Sequence, residues 1–169
     1  MSKPRHLQKE LEKIKKTILS LGTMVEERVR KAGKLIESKD AFLVTRLIKS
    51  DYEIDEMEME VEEECLKIIA LHQPVAADLR FLVAVVKINN DLERIADEAV
   101  NIARRIQSII KSDNFEFAFD YSVMVEKVED MLKKSLDALV HFDTDLALKV
   151  CLLDDEIDNI HSDAYDCLK

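Results

Sequence analysis

Glycine and proline are scarce in this chain, which has two residues of each among 169. Both residue types interrupt regular structure, so their scarcity beside abundant Glu, Lys, Leu and Ile favours long helices with short connections. Cysteine is also rare: Cys65, Cys151 and Cys167 are the three present, and none forms a CxxC pair. A disulfide framework or a structural zinc site is therefore unsupported, and we expect the cysteines to be small buried residues in a reducing cytosol.

No apolar run in the sequence approaches the roughly 18 residues of a transmembrane helix. The N-terminal stretch MSKPRHLQKELEKIKK is charged and lacks the apolar segment of a signal peptide. The formal net charge is −10 and the isoelectric point about 4.9, which argues against general binding of nucleic acid. These absences together predict a cytoplasmic protein that neither inserts into a membrane nor binds nucleic acid.

Apolar residues recur at steps of three and four through most of the chain, the pattern of helices packed lengthwise against one another. The first helix is predicted over Arg5–Ser38, and Asp40 is a suitable N-cap for a second helix over Ala41–Leu71. Pro74 is suited to the first position of a third helix, which ends near residues 111–114. The fold class is therefore all-α, and residues 1–112 are predicted to form an up-down-up three-helix bundle.

Residues 113–169 repeat part of this bundle at a constant offset of 103 positions. The positions that carry the same residue in both copies include Asp40 with Asp143, Asp51 with Asp154, and Asp55 with Asp158. We therefore predict tandem antiparallel three-helix-bundle repeats, with residues 113–169 forming a partial second repeat of two helices. The chain stops before a second copy of the third helix, so we expect a truncated or incomplete two-repeat protein. The incomplete repeat would expose an apolar groove, which favours a homodimer or domain swapping.

Acidic residues spaced four apart line two of the predicted helices beside their apolar seams. Glu93 and Asp97 lie one turn apart on the third helix among apolar neighbours, where burying a charge is costly without a cation or hydrogen bonds. Asp51 and Asp55 have the same spacing on the second helix. Antiparallel packing can gather these carboxylates, and a ligand set of oxygen alone favours Mg²⁺, Ca²⁺, Mn²⁺ or iron. The alternative is a purely structural helical protein whose acidic stripes are solvated surface.

Histidine adds little to this ligand set. In the second repeat Asp158 and His161 lie three residues apart and can share a metal, whereas His6, His72 and His141 have no such company and need no special role. A ferritin-like metal enzyme would need a Glu-x-x-His motif on each of two helices, and this sequence has only Asp158-x-x-His161. We therefore expect no enzymatic activity.

Two stretches resemble the signature of the PhoU family: QPVAADLR at Gln73–Arg80 and DLERIADEAVNIA at Asp91–Ala103. The D-x-E-I-D segments that begin at Asp51 and Asp154 are similar to another repeated element of that family, and the resemblance covers nearly the whole chain. It implies a cytoplasmic helical protein that accompanies the high-affinity phosphate transporter. Such a protein negatively regulates phosphate uptake and the phosphate-starvation response. A helical accessory protein of another phosphate transporter is the alternative.

The resemblance also implies a metal centre and protein partners. PhoU proteins bind clusters of metal ions through E/D-xxx-D motifs, and iron, manganese, magnesium and zinc are the candidates here. The metal-binding pairs implied in this chain are Asp51/Asp55, Glu93/Asp97 and Asp154/Asp158. The implied partners are the ATPase of a phosphate ABC transporter and a sensor histidine kinase.

Overall fold

The computed structural model describes residues 5–111 and 119–167, and every regular element within them is an α-helix. These helices are α1 Arg5–Ser38, α2 Ala41–Lys49, α3 Tyr52–His72, α4 Ala77–Ile110, α5 Ser122–His141 and α6 Thr144–Cys167. The predicted all-α class is confirmed. No helix in this described part of the chain is long and apolar enough to cross a membrane.

The prediction of one continuous second helix is wrong, because the chain forms α2 and α3 in its place. Between them, Asp51 keeps helical angles of φ −57° and ψ −46°. The amide of Glu53 donates to the carbonyl of Ser50 at 3.2 Å. The amide of Ile54 donates to the carbonyl of Asp51, again three residues back, at 3.1 Å. Such bonds tighten the turn and interrupt the α-helical ladder. Neither glycine nor proline marks the break, so the apolar pattern does not reveal it.

The start of α4 also differs from the prediction, since the helix begins at Ala77 and not at Pro74. Gln73 caps α3 in the left-handed region, with φ 45° and ψ 53°, and its amide donates to the carbonyl of Ile69 at 3.1 Å. Ala76 is also left-handed, with φ 50°. The turn from α3 into α4 therefore uses left-handed residues on both sides of Pro74, and the helical ladder begins only beyond them.

The described residues divide into two compact units. The first comprises Ser50–Glu98 together with the described part of Met1–Val25. Its fully buried large side chains come from α1, α3 and α4 and are Ile14, Ile18, Leu21, Val25, Ile54, Val61, Leu82, Val85 and Leu92. Lys13 of α1 pairs with Glu64 of α3 at 3.3 Å, and Glu10 lies beside His72. Helices α1 and α3 therefore run antiparallel in this unit.

The second compact unit comprises Glu26–Lys49 together with the described part of Ala99–Lys169. A buried cluster joins the second half of α1 to α2 and to the end of α4 through Ala32, Leu35, Val44, Leu47, Ala99, Ala103 and Ile106. Helix α1 approaches α5 closely at Gly33, where an added Cβ would lie 2.5 Å from Cγ1 of Val125. Helices α5 and α6 form a hairpin in which Lys127 pairs with Glu156 at 2.5 Å.

The two sequence repeats cap their second helices in the same way. Oδ1 of Asp40 accepts hydrogen bonds from the amides of Phe42 and Leu43 at 2.8 and 3.2 Å. The predicted capping role of Asp40 is therefore confirmed. Oδ1 of Asp143, at the equivalent position, accepts from the amide of Leu146 at 2.9 Å.

The backbone before each cap is also equivalent. Lys39 and Phe142, which are 103 positions apart, are both left-handed, with φ 49° and φ 55°. The repeats differ further along, since α6 continues through Asp154 whereas the first repeat breaks at Asp51. The division of the chain after residue 112 stays a prediction, and most of the predicted connector at 115–120 lies outside the described residues.

The cysteines have two different settings. Cys65 is buried in α3, as predicted, and burial raises the pKa of its thiol to about 11. Cys151 and Cys167 are exposed, so the prediction of burial is wrong for these two. They lie on α6, whose buried residues are Ile157 and Ala164. The same helix exposes Leu148 and Leu152, each 66% accessible, so an apolar surface is present there. The homodimer stays a prediction.

Candidate metal centre

A buried hydrogen bond holds α3 and α4 in register within the first compact unit. The side-chain amide of Asn89, which is fully buried, donates to the backbone carbonyl of Glu58 at 2.8 Å. Asn89 precedes Glu93 by about one turn of α4, and Glu58 follows Asp55 by about one turn of α3. The bond therefore sets the acidic stripes of these two helices side by side.

The predicted pairs of the first repeat meet on this surface. Glu93 and Asp51 are half-buried, while Asp55 and Asp97 are exposed. Partial burial raises the pKa of Glu93 above its ordinary value, and nearby negative charges raise it further. Those charges, in decreasing order of effect, belong to Asp97, Asp55, Glu58 and Asp51. Carboxylates of both helices therefore share one electrostatic field, in which each additional negative charge is costly.

Glu58 belongs to the same surface, although it is not among the predicted ligand pairs. Burial raises the pKa of its carboxyl, and the charges of Glu62 and Asp55 raise it further. The four-residue step from Glu58 to Glu62 repeats the spacing of the predicted pairs. This spacing is the sequence pattern that could have identified the two residues as further candidate ligands. We call the six carboxylates the acidic face: Asp51, Asp55, Glu58, Glu62, Glu93 and Asp97.

The carboxylates of the acidic face share a field without closing on one point. Across residues 5–111 and 119–167, one set of three His, Cys, Asp or Glu side chains has its ligand atoms all within 4.8 Å, and it lies elsewhere. The carboxylates repel one another, which favours their separation. Half of the acidic face is glutamate, whose longer side chain can reach an ion by a change of rotamer. The face therefore has the donors of a hard-cation site in an open arrangement.

The predicted pair of the second repeat has a different setting. Asp154 and Asp158 are both exposed on α6. Between them, Glu156 pairs with Lys127 of α5. His161, the predicted companion of Asp158, is exposed and belongs to no converged set of three ligands among the described residues. Asp154 and Asp158 thus remain candidate ligands through their spacing alone.

His6 and His72 have an acidic partner, contrary to the expectation from sequence. Nε2 of His72 lies 2.6 Å from Oε2 of Glu10, and Nδ1 of His6 lies 3.2 Å from Oε1 of the same carboxylate. These three side chains are the converged set. The spacing of His6 and Glu10 by one helical turn was visible in the sequence. The approach of His72 was not, because it depends on the antiparallel packing of α1 and α3.

Comparison with known families gives a match over most of the chain. A family model described as the PhoU domain matches residues 18–106 and 121–168. The acidic face lies within the first matched range, and Asp154 and Asp158 lie within the second. His6 and Glu10 precede the first matched residue.

Curated relatives and solved structures agree with that match. The chain is 36% identical to the phosphate-specific transport system accessory protein PhoU homolog of Aquifex aeolicus, over 90% of this chain and 69% of that protein. It is 31% identical to the phosphate-specific transport system accessory protein PhoU of Escherichia coli, over 88% of this chain and 62% of that protein. The crystal structure of PhoU from Pseudomonas aeruginosa has a TM-score of 0.86 and 34% identity, covering 94% of this chain and 77% of that one. The crystal structure of the phosphate transport system regulatory protein PhoU from Streptococcus pneumoniae has a TM-score of 0.85 and 26% identity, covering 94% and 74%.

Proposed function

The chain belongs to the PhoU family, and we propose that it is a metal-binding accessory protein of phosphate transport. In this proposal it is a cytoplasmic regulatory adaptor without enzymatic activity. It negatively regulates phosphate uptake and phosphate-starvation signalling. The names of its relatives support the transport role. The structural observation that carries the metal role is the crowding of negative charge around Glu93.

The donors of the acidic face fit a hard divalent cation. Carboxylate oxygens suit Mg²⁺, Mn²⁺ and iron, and they also occur around Zn²⁺. A cation held there would offset the repulsion that raises the pKa of Glu93. It would also fasten α3 to α4, because the donors come from both helices. The proposed ligands are Asp51, Asp55, Glu93 and Asp97, with Asp154 and Asp158 for a separate site on α6.

The proposed partners are the ATPase of a phosphate ABC transporter, a sensor histidine kinase and a second copy of this chain. The first follows from relatives that are named as accessory proteins of a phosphate-specific transport system. The second belongs to the proposed role in signalling. The third is supported by the exposed Leu148 and Leu152 of α6, which a homodimer can cover. An accessory protein of another phosphate transporter is the alternative that shares the same fold.

Metal binding is tested by elemental analysis of the purified protein, paired with melting curves in Mn²⁺, iron, Mg²⁺, Zn²⁺ and chelator. A bound ion raises the melting temperature through linkage. We expect metal to copurify and to raise the melting temperature of the parent protein. The double variant Glu93→Ala/Asp97→Ala should lose the metal held by the acidic face and the shifts in Mn²⁺, iron and Mg²⁺.

The matched control is Glu56→Ala/Glu60→Ala, an acidic pair with the same spacing on α3 whose two residues are exposed. It removes the same charge and should keep the metal response. If both double variants show the same metal content and the same shift in melting temperature, the acidic face is solvated surface and the proposed metal role is wrong.

The regulatory role is tested in bacteria that lack their own PhoU protein and carry a reporter of the phosphate-starvation response. Expression of this chain in phosphate-rich medium should lower the reporter signal and phosphate uptake. Co-purification with the transporter ATPase and the kinase would identify the complexes. If neither reporter nor uptake changes while the chain is folded and abundant, negative regulation is wrong even where metal binding holds.

A further inference from the structure

A ligand set unlike the acidic face lies where α1 begins and α3 ends. His6 and Glu10 are one turn apart on α1, and His72 is the last residue of α3. Oxygens of Glu10 lie 3.2 Å from Nδ1 of His6 and 2.6 Å from Nε2 of His72. The two imidazole centroids are 5.7 Å apart, with their planes inclined by 31°. One carboxylate and two imidazoles therefore face a common point.

We propose that His6, Glu10 and His72 bind a borderline divalent cation, for which Zn²⁺ is the best match, separately from the acidic face. Two imidazoles and one carboxylate form a ligand set that proteins use for Zn²⁺, with water completing the coordination. Nitrogen donors also suit Ni²⁺ and Co²⁺, whereas Mg²⁺ and Ca²⁺ prefer oxygen throughout. This site should therefore select a different class of ion from that selected by the carboxylates.

The converged geometry leaves little movement for binding. The three ligand atoms already lie within 4.8 Å of one another. Zinc binds nitrogen and carboxylate oxygen at about 2.0–2.2 Å, so ligands on one ion are separated by less than twice that distance. Small rotations of the side chains are enough to close the set. The carboxylates of the acidic face would need larger changes of rotamer.

Burial supplies a second reason for a cation at this point. Oε2 of Glu10 is buried and has no hydrogen-bond partner in the part of the chain that the structure describes. The contact with His72 is close enough for an ion pair, but it does not have hydrogen-bond geometry. A buried carboxylate oxygen without a hydrogen bond is costly, and coordination to a cation removes that cost. Side-chain exposure of 77% at His6 leaves one side open to water ligands.

The competing occupant is a proton, which would make His72 a charged partner of Glu10. The end of α3 favours either positive species, because unpaired carbonyls carry partial negative charge at a helix C-terminus. The metal site and the proton-mediated pair require different side chains at position 72. A proton-mediated pair needs only a positive side chain there, whereas a metal site needs an imidazole.

Two of the three ligands lie outside the region that identifies the family, whereas His72 lies within it. His6 and Glu10 precede residue 18, where the match to the PhoU domain begins. A metal held by them and by His72 would join the start of α1 to the end of α3. Binding of this metal should therefore raise the stability of the first compact unit.

The test uses the full chain, saturated with Mg²⁺, and follows Zn²⁺ by calorimetric titration and Co²⁺ by its visible absorption. We expect Zn²⁺ to bind and to raise the melting temperature, and we expect Co²⁺ to show the absorption of nitrogen coordination. The substitution His72→Arg keeps a positive partner for Glu10 while removing the imidazole. It should retain the melting temperature of the parent in chelator. It should weaken Zn²⁺ binding by more than about tenfold. Even the loss of a residue that only hydrogen-bonds to a metal ligand typically lowers metal affinity by about 10- to 100-fold.

Two controls separate this site from other causes. His141→Gln removes an exposed imidazole whose Nδ1 lies 2.9 Å from the carbonyl of Asp137, and it should leave Zn²⁺ affinity unchanged. Glu93→Ala/Asp97→Ala should also retain the Zn²⁺ response. Full Zn²⁺ affinity in His72→Arg, or its loss only in the acidic-face variant, would overturn the proposal. If His72→Arg is unstable in chelator, His6→Gln provides the same test at the exposed ligand.

Discussion

The side-chain amide of Asn89 donates to the backbone carbonyl of Glu58 across the interface of α3 and α4, at 2.8 Å. Asn89 is fully buried, and its Oδ1 has no hydrogen-bond partner in the residues that the structure describes. A buried amide in this position is both a tie between helices and a neutral neighbour of the acidic face. A charged side chain in its place would be deprived of water and surrounded by negative charge.

Asn89→Asp should therefore destabilise the protein more than other substitutions at the same site. It removes the donor to Glu58 and adds a buried negative charge, and we expect a loss of about 3 kcal/mol or more in the free energy of unfolding. Asn90→Asp, which adds the same charge at an exposed neighbour, should cost about 0.5 kcal/mol or less. Urea unfolding in chelator measures both. Equal losses would mean that burial at Asn89 does not matter.

Glu93→Gln should stabilise the metal-free protein at neutral pH. The pKa of Glu93 is raised in the folded state, so ionising this carboxyl works against folding. That penalty is absent below the ordinary value of 4.5 and complete above the raised value. The advantage of the variant, up to about 1 kcal/mol, should therefore fade as pH falls through the acid range.

Urea unfolding at a series of pH values, in chelator, measures that difference. Glu60→Gln, which removes the same charge at an exposed position of α3, is the control. With Mn²⁺ present the order should reverse, since the variant lacks a ligand. A pH-independent difference between Glu93→Gln and the parent would contradict the origin assigned to the raised pKa.

Gly33→Ala should destabilise the second compact unit although alanine is the better helix former. The new Cβ would lie 2.5 and 2.9 Å from the two γ-carbons of Val125. Valine is stiff, so the overlap is relieved only by moving the helices, and overpacking of this kind costs about 1–3 kcal/mol. Adding Val125→Ala removes both γ-carbons. In that background most of the cost of Gly33→Ala should disappear, although the remaining Cβ of residue 125, at 3.2 Å, offsets part of the gain in helix propensity. A double-mutant cycle with no coupling would refute the close contact.

Asp40→Ala and Asp143→Ala should have similar costs, because both carboxylates cap the helix that follows. Each should lose about 1 kcal/mol of stability, within the usual range for a removed N-cap. Asp40→Asn and Asp143→Asn keep the acceptor oxygen and should lose much less. Thermal and urea unfolding of the four variants checks this. A large loss on Asn substitution would show that charge, and not the hydrogen bond, is what matters there.

Much of this architecture could be predicted because it depends on periodicity. The apolar steps of three and four locate α1 and most of α4, and the offset of 103 locates the caps at Asp40 and Asp143. The break at Asp51 could not be predicted, since the residues on both sides continue the helical pattern. It depends on a local change from four-residue to three-residue hydrogen bonds, which neither glycine nor proline marks.

The candidate ligands divide in the same manner. Spacing along one helix identified Glu93 and Asp97, and it also contained His6 and Glu10. A candidate ligand on the neighbouring helix could be predicted where both helices carried an acidic stripe. For His72 no stripe exists, because the residue is at the end of α3 and approaches Glu10 through the packing of whole helices. Contacts of that kind depend on register between helices, which periodicity leaves undetermined.

Lys39 and Phe142 occupy equivalent positions and share a left-handed backbone, yet one side chain is a cation and the other an aromatic ring. Neither is the glycine that such a position usually carries, so each repeat tolerates a strained angle of about 1–2 kcal/mol before its second helix. Duplication has thus preserved a direction of the main chain while the chemistry attached to it diverged. These two corners are accordingly places where the protein can be redesigned for stability, by glycine or asparagine, without replacing a residue of any candidate metal site.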